Sequence, residues 1–251
     1  MPGTMPPMPL TIPLILGHRG ASAHEPENSL AAFARAVADG ADGVELDVLC
    51  CATGEVVVFH DDDLVRLAHR QEQIAGLSLA ALRALVLTSG ARIPTLEEAF
   101  EACGPTALVN VELKTRGHGG GPLGPLVDGV AAIVERAGAA SRVLVSSFHP
   151  RAIWMWQRRA PRIPAGLLFE AAAARPLREA WAHRWLRPRA LHPESLLCTP
   201  ERVRRWHQLG YMVNAWTVDD PHALHALAAM GVDGIITNDP GRARRFLQQT
   251  P

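Results

Sequence analysis

The chain has 251 residues, 48% of them hydrophobic, and a formal net charge of 0. That is enough apolar material for a large core, and the length suits one α/β barrel. Zero net charge gives no bulk electrostatic reason to expect a nucleic-acid or anionic-membrane partner.

Residues 1–12 are proline-rich, lack a basic leader segment, and read as a loose tail ahead of one domain over 13–251. The apolar run Leu14-Ile15-Leu16 is too short to span a membrane. Strand-like runs then follow at Leu14–His18, Gly43–Leu49, Val56–His60, Ala107–Leu113, Val143–Phe148, Ala165–Phe169, Ala190–His192, Met212–Val218 and Gly234–Thr237. Between most of them lie stretches of helical period, such as Ser29–Asp39, Leu123–Ala137, Pro200–Leu209 and Pro221–Met230. Strands apolar on both faces and separated by helices argue a parallel sheet covered by helices, and about eight such units make a (β/α)8 TIM-type barrel. An open doubly wound sheet is the second choice, but no Gly-rich dinucleotide loop follows the first strand. Residues 61–95 interrupt the alternation and read as a small insertion at the barrel rim, with a short helix near Ser78–Leu87. The glycine-rich stretch Thr115–Pro125 reads as a mobile loop. Cys50, Cys51, Cys103 and Cys198 fit no zinc spacing and read as buried thiols of a reducing compartment, so a cytoplasmic location is expected.

Four clusters sit at the C-terminal ends of predicted strands, where a barrel collects its catalytic groups. In the first, His18 and Arg19 between Gly17 and Gly20 can offer an anion a proton carrier and a bidentate donor. A glycine-rich turn with a solvent-facing arginine remains an equal reading of that segment alone. Asn28 and Ser29 read as the N-cap of the first helix. In the second, Glu45 and Asp47 point to the same side of an otherwise apolar strand. Two carboxylates there are costly unless paired or metal-bound, and a metal is preferred over pairing with arginines. The third is His60-Asp61, closing the apolar run Val56–Phe59; catalysis is preferred over a packed core histidine. The fourth is Glu112-Leu113-Lys114, with the chain's only lysine. A buried intra-strand ion pair is unattractive there. Three carboxylates without a cysteine partner select Mg²⁺ or Ca²⁺, and such a cation with two histidines suits phosphodiester cleavage.

These motifs, His18-Arg19-Gly20-Ala21, Pro26-Glu27-Asn28, Glu45-x-Asp47, His60-Asp61 and Glu112-x-Lys114, together resemble the glycerophosphodiester phosphodiesterase family. So do Pro94-Thr95-Leu96-Glu97-Glu98, Ser146-Ser147-Phe148, Trp216-Thr217-Val218 and the run Gly231 to Pro240. The resemblance spans about Ile15 to Pro240. It implies a barrel, and hydrolysis of a small glycerophosphodiester to glycerol 3-phosphate and an alcohol. It implies a metal held by Glu45, Asp47 and Glu112, acid–base work shared by His18 and His60, phosphate binding by Arg19 and Lys114, and a groove lined by Trp216. The chain departs from the family pattern at Ser29, at Cys51-Ala52-Thr53-Gly54, and over Leu64–Arg70, none of which touches those residues.

Two alternatives compete. A lysophospholipase D- or sphingomyelinase D-like enzyme needs an apolar entry for acyl chains. Trp154, Trp156, Trp181 and Trp185 could form one, but read better as helix-packing residues, so no stable membrane association is expected. A non-catalytic glycerol-phosphate-binding barrel is disfavoured because every metal and proton-transfer residue is present.

Overall fold

A computed structural model describes residues 12–115 and 123–249. The tail over 1–12, apart from Ile12, and the core of the glycine-rich loop lie outside the described residues. The chain runs β1 (Leu14–His18), α1 (Leu30–Ala38), β2 (Gly43–Cys50), β3 (Val56–Val58), α2 (Val65–Ala68), α3 (Leu79–Ala84) and α4 (Leu96–Cys103). It continues through β4 (Leu108–Leu113), α5 (Leu123–Arg136), β5 (Val143–Ser147), α6 (Pro150–Arg159) and β6 (Ala165–Phe169). The rest is α7 (Arg175–Arg178), α8 (His183–Leu186), β7 (Ala190–Pro193), α9 (Pro200–Gln208), β8 (Met212–Ala215), α10 (Pro221–Met230), β9 (Gly234–Thr237) and α11 (Pro240–Gln249).

Eight strands, β1, β2 and β4 to β9, pair in parallel, and β1 closes the ring by pairing with both β9 and β2. This is the (β/α)8 barrel expected from the alternation of buried apolar strands and helices. Strand β2 is buried along its whole length, since α1 and α4 cover its outer side and the barrel interior takes the other. Helix starts follow local chemistry. The Ser29 hydroxyl accepts from Ala32 N at 3.1 Å, and Thr95 with Glu98 forms a reciprocal capping box.

One strand departs from the reading of the sequence. Val56–Val58 is not a barrel strand but an antiparallel partner of the upper end of β2, with Val48 opposite Val58 and Cys50 opposite Val56. An apolar run carries no sign of its direction, and the hairpin Cys51–Gly54 reverses the chain. The strand stops at Val58 rather than His60, and Phe59 N then donates to Asp47 O at 3.0 Å. The hairpin therefore rises above the rim and returns to it, delivering His60 from above. The residues after it hold α2 and α3, with Ser78 capping α3. They pack a separate small cluster, including Leu64, Ile74 and Leu82, on the hairpin residues Leu49, Val57 and Phe59. All four cysteines are buried and unpaired. No helix among the described residues is long and apolar enough to cross a membrane.

Candidate active site

The strand register assembles the site. His18 lies beside Glu45 across β1 and β2, and Asp47 lies directly beside Glu112 across β2 and β4. Period-two alternation turns Glu45, Asp47 and Glu112 to the barrel interior. One oxygen from each lies within 4.8 Å of the other two, and all three residues are buried. Lys114 Nζ is 2.9 Å from Asp47 Oδ1 and 2.7 Å from Glu112 Oε1. The buried ion pair with Glu112 that seemed unattractive is therefore present; a second carboxylate shares the ammonium and offsets its desolvation. Arg19 N donates to Glu45 Oε2 at 3.1 Å, while the Arg19 Nε lies 3.4 Å from Asp47 Oδ2. Backbone φ is +55° at Arg19, so its amide turns toward the barrel instead of along β1.

Charge in this cluster is unevenly held. Burial, reinforced by Asp47 and Glu112, pushes the Glu45 carboxyl well above its ordinary range. Burial also raises Glu112, to about 7, with Lys114 working against the rise and Asp47 with it. Burial works upward on Asp47 too, but Lys114 and Arg19 overcome it and hold that carboxyl well below the ordinary range. Lys114 is held protonated: Asp47 and Glu112 outweigh the desolvation that works against its charge. A compact oxygen-lined cluster in which protein cations balance one carboxylate but leave two strained toward protonation fits a small hard cation.

The two imidazoles are oriented differently. His18 Nδ1 lies 2.8 Å from Asn238 Oδ1, and Asn238 Nδ2 donates to Asp219 Oδ2 at 2.6 Å. A carboxylate only accepts, so it fixes the amide with oxygen toward His18; Nδ1 then carries hydrogen and Nε2 carries the lone pair. His60 Nδ1 lies 2.7 Å from Asp61 Oδ1, a carboxylate partner that favours the imidazolium. Burial, the largest influence on each, places both histidines below their ordinary value. Arg19 adds to it for His18; for His60, Asp47 is the main opposing charge.

Three contributors were not legible as site residues. Asn28 is buried, has φ +55°, and donates Nδ2 to Asp47 Oδ2 at 2.8 Å while its Oδ1 accepts from Asp47 N at 3.3 Å. Ser29 alone is the helix cap. Arg66, from the insertion, donates to Asp61 at 2.7 Å and makes a two-pronged contact with Glu27 at 2.7 and 2.8 Å. Glu27 also accepts from Arg19 at 2.8 Å, so one carboxylate ties the insertion to the rim. Asn238 is the third. Only its place in the run Gly231 to Pro240 could have pointed to it.

His18, Arg19, Glu45, His60, Glu112, Lys114 and Trp216 all line one cavity of about 670 Å³. Asp47 lies behind them, under Lys114. Trp216 forms an apolar wall with Phe148, ring centroids 5.4 Å apart and edge to face, and its Nε1 donates to His192 O at 2.8 Å. An acidic cluster, two imidazoles and two cations round an open pocket at the C-terminal rim define a phosphoryl-transfer type of barrel site.

Comparison with known proteins narrows that class. The glycerophosphoryl diester phosphodiesterase family model matches residues 18–242. A glycerophosphodiester phosphodiesterase of Caldanaerobacter subterraneus subsp. tengcongensis is 35% identical, with 90% of this chain and 94% of that protein covered. Among solved structures, an Oleispira antarctica phosphodiesterase in complex with the product sn-glycerol-3-phosphate has a TM-score of 0.85 at 26% identity, covering 95% of this chain and 98% of that one. A glycerophosphodiester phosphodiesterase from Thermotoga maritima has a TM-score of 0.77 at 29% identity, covering 93% and 97%. The chain belongs to the glycerophosphoryl diester phosphodiesterase family and is a phosphodiesterase.

Proposed function

We propose that this chain hydrolyses glycerophosphodiesters to glycerol 3-phosphate and an alcohol, with one Mg²⁺ or Ca²⁺ held by Glu45, Asp47 and Glu112. The observation that carries the reading is the convergence of these three buried carboxylates, within 4.8 Å, beneath a cavity that both histidines and both cations line. When bound, a hard divalent cation supplies positive charge to the phosphoryl oxygens. The chain's own groups do the rest. Two hydrogens of the Lys114 ammonium are taken by Asp47 and Glu112, which leaves the third for a phosphoryl oxygen. Arg19 has five donors, of which Glu27 takes one. The Trp216–Phe148 wall packs the apolar part of the substrate.

Hydrolysis forms one bond from the attacking oxygen to phosphorus and breaks the bond from phosphorus to the alcohol oxygen. His18, with its Nε2 lone pair free, takes the proton of the attacking oxygen, which belongs to water, or to a hydroxyl of the substrate's glycerol that forms a cyclic phosphate for water then to open to glycerol 3-phosphate. His60, where Asp47 and the Asp61 hydrogen bond favour the protonated ring against the burial that lowers it, gives a proton to the leaving oxygen. The completeness of this set argues against a non-catalytic binder. A cavity with charged groups on one side and the Trp216–Phe148 wall on the other suits a small diester, and the buried unpaired thiols accord with a cytoplasmic setting. Residues 61–95 act as part of the single domain, since Arg66 contributes to the rim. A coupled assay for glycerol 3-phosphate across glycerophosphocholine, -ethanolamine, -glycerol and -inositol tests the reading. Release from at least one is expected; release from none would overturn it.

A further inference from the structure

The tryptophans that read as packing residues divide in the structure. Trp156 is fully buried, but Trp154, Trp181 and Trp185 are 48%, 47% and 62% exposed, beside Leu177 at 50%. Residues two apart on α6 point to opposite sides, so Trp154 and Trp156 cannot both face the core. Trp154 and Trp185 meet in one shallow groove with His149, Pro150 and Arg151. Trp181 lies one helical turn before Trp185, on a segment where Arg184 N donates to Trp181 O and Trp185 N to Ala182 O.

The segment that carries these rings is rich in arginine. Between residues 149 and 189 there are nine arginines and two glutamates, a net +7 in a chain whose total is 0. The remainder therefore carries −7; Asp128 of α5 lies beside Trp154 and Arg158 and pairs with Arg159 at 3.0 Å, but the bulk neutrality that argued against an anionic surface still conceals a cationic segment. Arg158 stacks over the Trp154 ring at 5.2 Å, and Arg184 stands between Trp181 and Trp185 in sequence. Among the described residues, no carboxylate lies within ion-pair distance of Arg151, Arg158, Arg184 or Arg187. Exposed tryptophans interleaved with unpaired arginines are what the headgroup region of a bilayer accepts: amphipathic rings at the boundary and guanidinium groups among lipid phosphates. Nucleic acid would satisfy the arginines, but would leave Leu177 and the apolar groove floor uncovered.

We propose that this flank, formed by the start of α6 and the α7–α8 segment, is a reversible docking surface for an anionic lipid bilayer. The groove begins at His149, next to Phe148 of the substrate cavity, so a docked molecule holds its mouth near the membrane.

The test is sedimentation of the whole chain with vesicles of phosphatidylcholine alone and of phosphatidylcholine mixed with phosphatidylglycerol. Binding to the mixed vesicles that falls as salt is raised, with little binding to phosphatidylcholine alone, is expected. Replacing Arg151 and Arg184 with glutamate should weaken partitioning by more than about 25-fold, since each arginine at an anionic surface contributes about fivefold. Trp154→Ser with Trp185→Ser should also weaken it, and brominated lipid should quench the parent's fluorescence more than that of the double variant, which keeps only Trp181 on this surface. These side chains are exposed and outside the catalytic cluster, so thermal unfolding should be unchanged in all variants. No binding to mixed vesicles, or capture of single-stranded RNA in their place, would overturn the proposal.

Discussion

Replacing Lys114 with methionine tests how the acidic cluster is held. The side chain is only 6% exposed, and its ammonium is shared between Asp47 and Glu112 at 2.9 and 2.7 Å. Methionine keeps the length and removes the charge, so three buried carboxylates are left with Arg19 as their near cation. Breaking a buried pair from one side costs about 3–5 kcal/mol. For a chain of this size each kcal/mol moves the melting temperature by about 2–4 °C, so the metal-free variant should melt roughly 6–20 °C below the parent. A divalent cation should narrow that gap, because it offsets the same repulsion. Activity should fall by about 10²-fold or more, as the phosphoryl oxygens lose a preorganised donor. Lys114→Arg keeps the charge but places a larger planar group in the closed space between Asp47 and Glu112, and should also be harmful. Differential scanning calorimetry with and without Mg²⁺, and turnover of a glycerophosphodiester, read both effects. A metal-free melting temperature equal to the parent's, or near-normal turnover in Lys114→Arg, would refute the reasoning.

His18→Ala and His60→Ala should each lose about 10²–10⁴-fold in turnover while still binding substrate, and a nitrophenyl diester should rescue only His60→Ala; rescue of His18→Ala instead would reverse the acid and base. Asn28→Gly relieves the positive φ but removes the hydrogen bond to Asp47, so it should weaken divalent-cation binding with little loss of stability. Unchanged cation affinity by calorimetry would count against that role. His192 is fully buried, and burial pushes its imidazole down to about 3. The unfolded chain therefore binds a proton below about 6.5 that the folded chain refuses, and stability is lost as pH falls from there toward 3. Between pH 7 and 5 this residue alone should remove about 2 kcal/mol. Urea unfolding of His192→Gln should show a shallower pH slope, and an identical slope would contradict the assignment.

The barrel and the three carboxylates were legible because both are periodic. Alternation put Glu45 and Asp47 on one face, and runs buried on both sides announced parallel strands. The role of Val56–Val58 was not legible, because three valines pair equally well in either direction and the tight hairpin at Cys51–Gly54 decides it. Asn28 looked like a cap because it precedes Ser29 at a helix start; its true partner, Asp47, is 19 residues away, and only strand register brings the two together. Arg66 lies in a stretch without period, so its bridge to Glu27 over 39 residues left no local trace. The spacing of Trp154 and Trp156 did carry the information that one must face outward; the alanines and arginines round Trp181 and Trp185 did not.

The central claim is that Glu45, Asp47 and Glu112 hold one hard cation without which the diester is not cleaved. Calorimetric titration of chelator-stripped chain with Mg²⁺ and with Ca²⁺, alongside glycerol 3-phosphate release from the same samples, tests it most directly. The account predicts one cation per chain, activity rising in step with occupancy, and loss of both in Glu112→Gln. Full activity in exhaustively stripped protein, or cation binding undiminished in that variant, would contradict it.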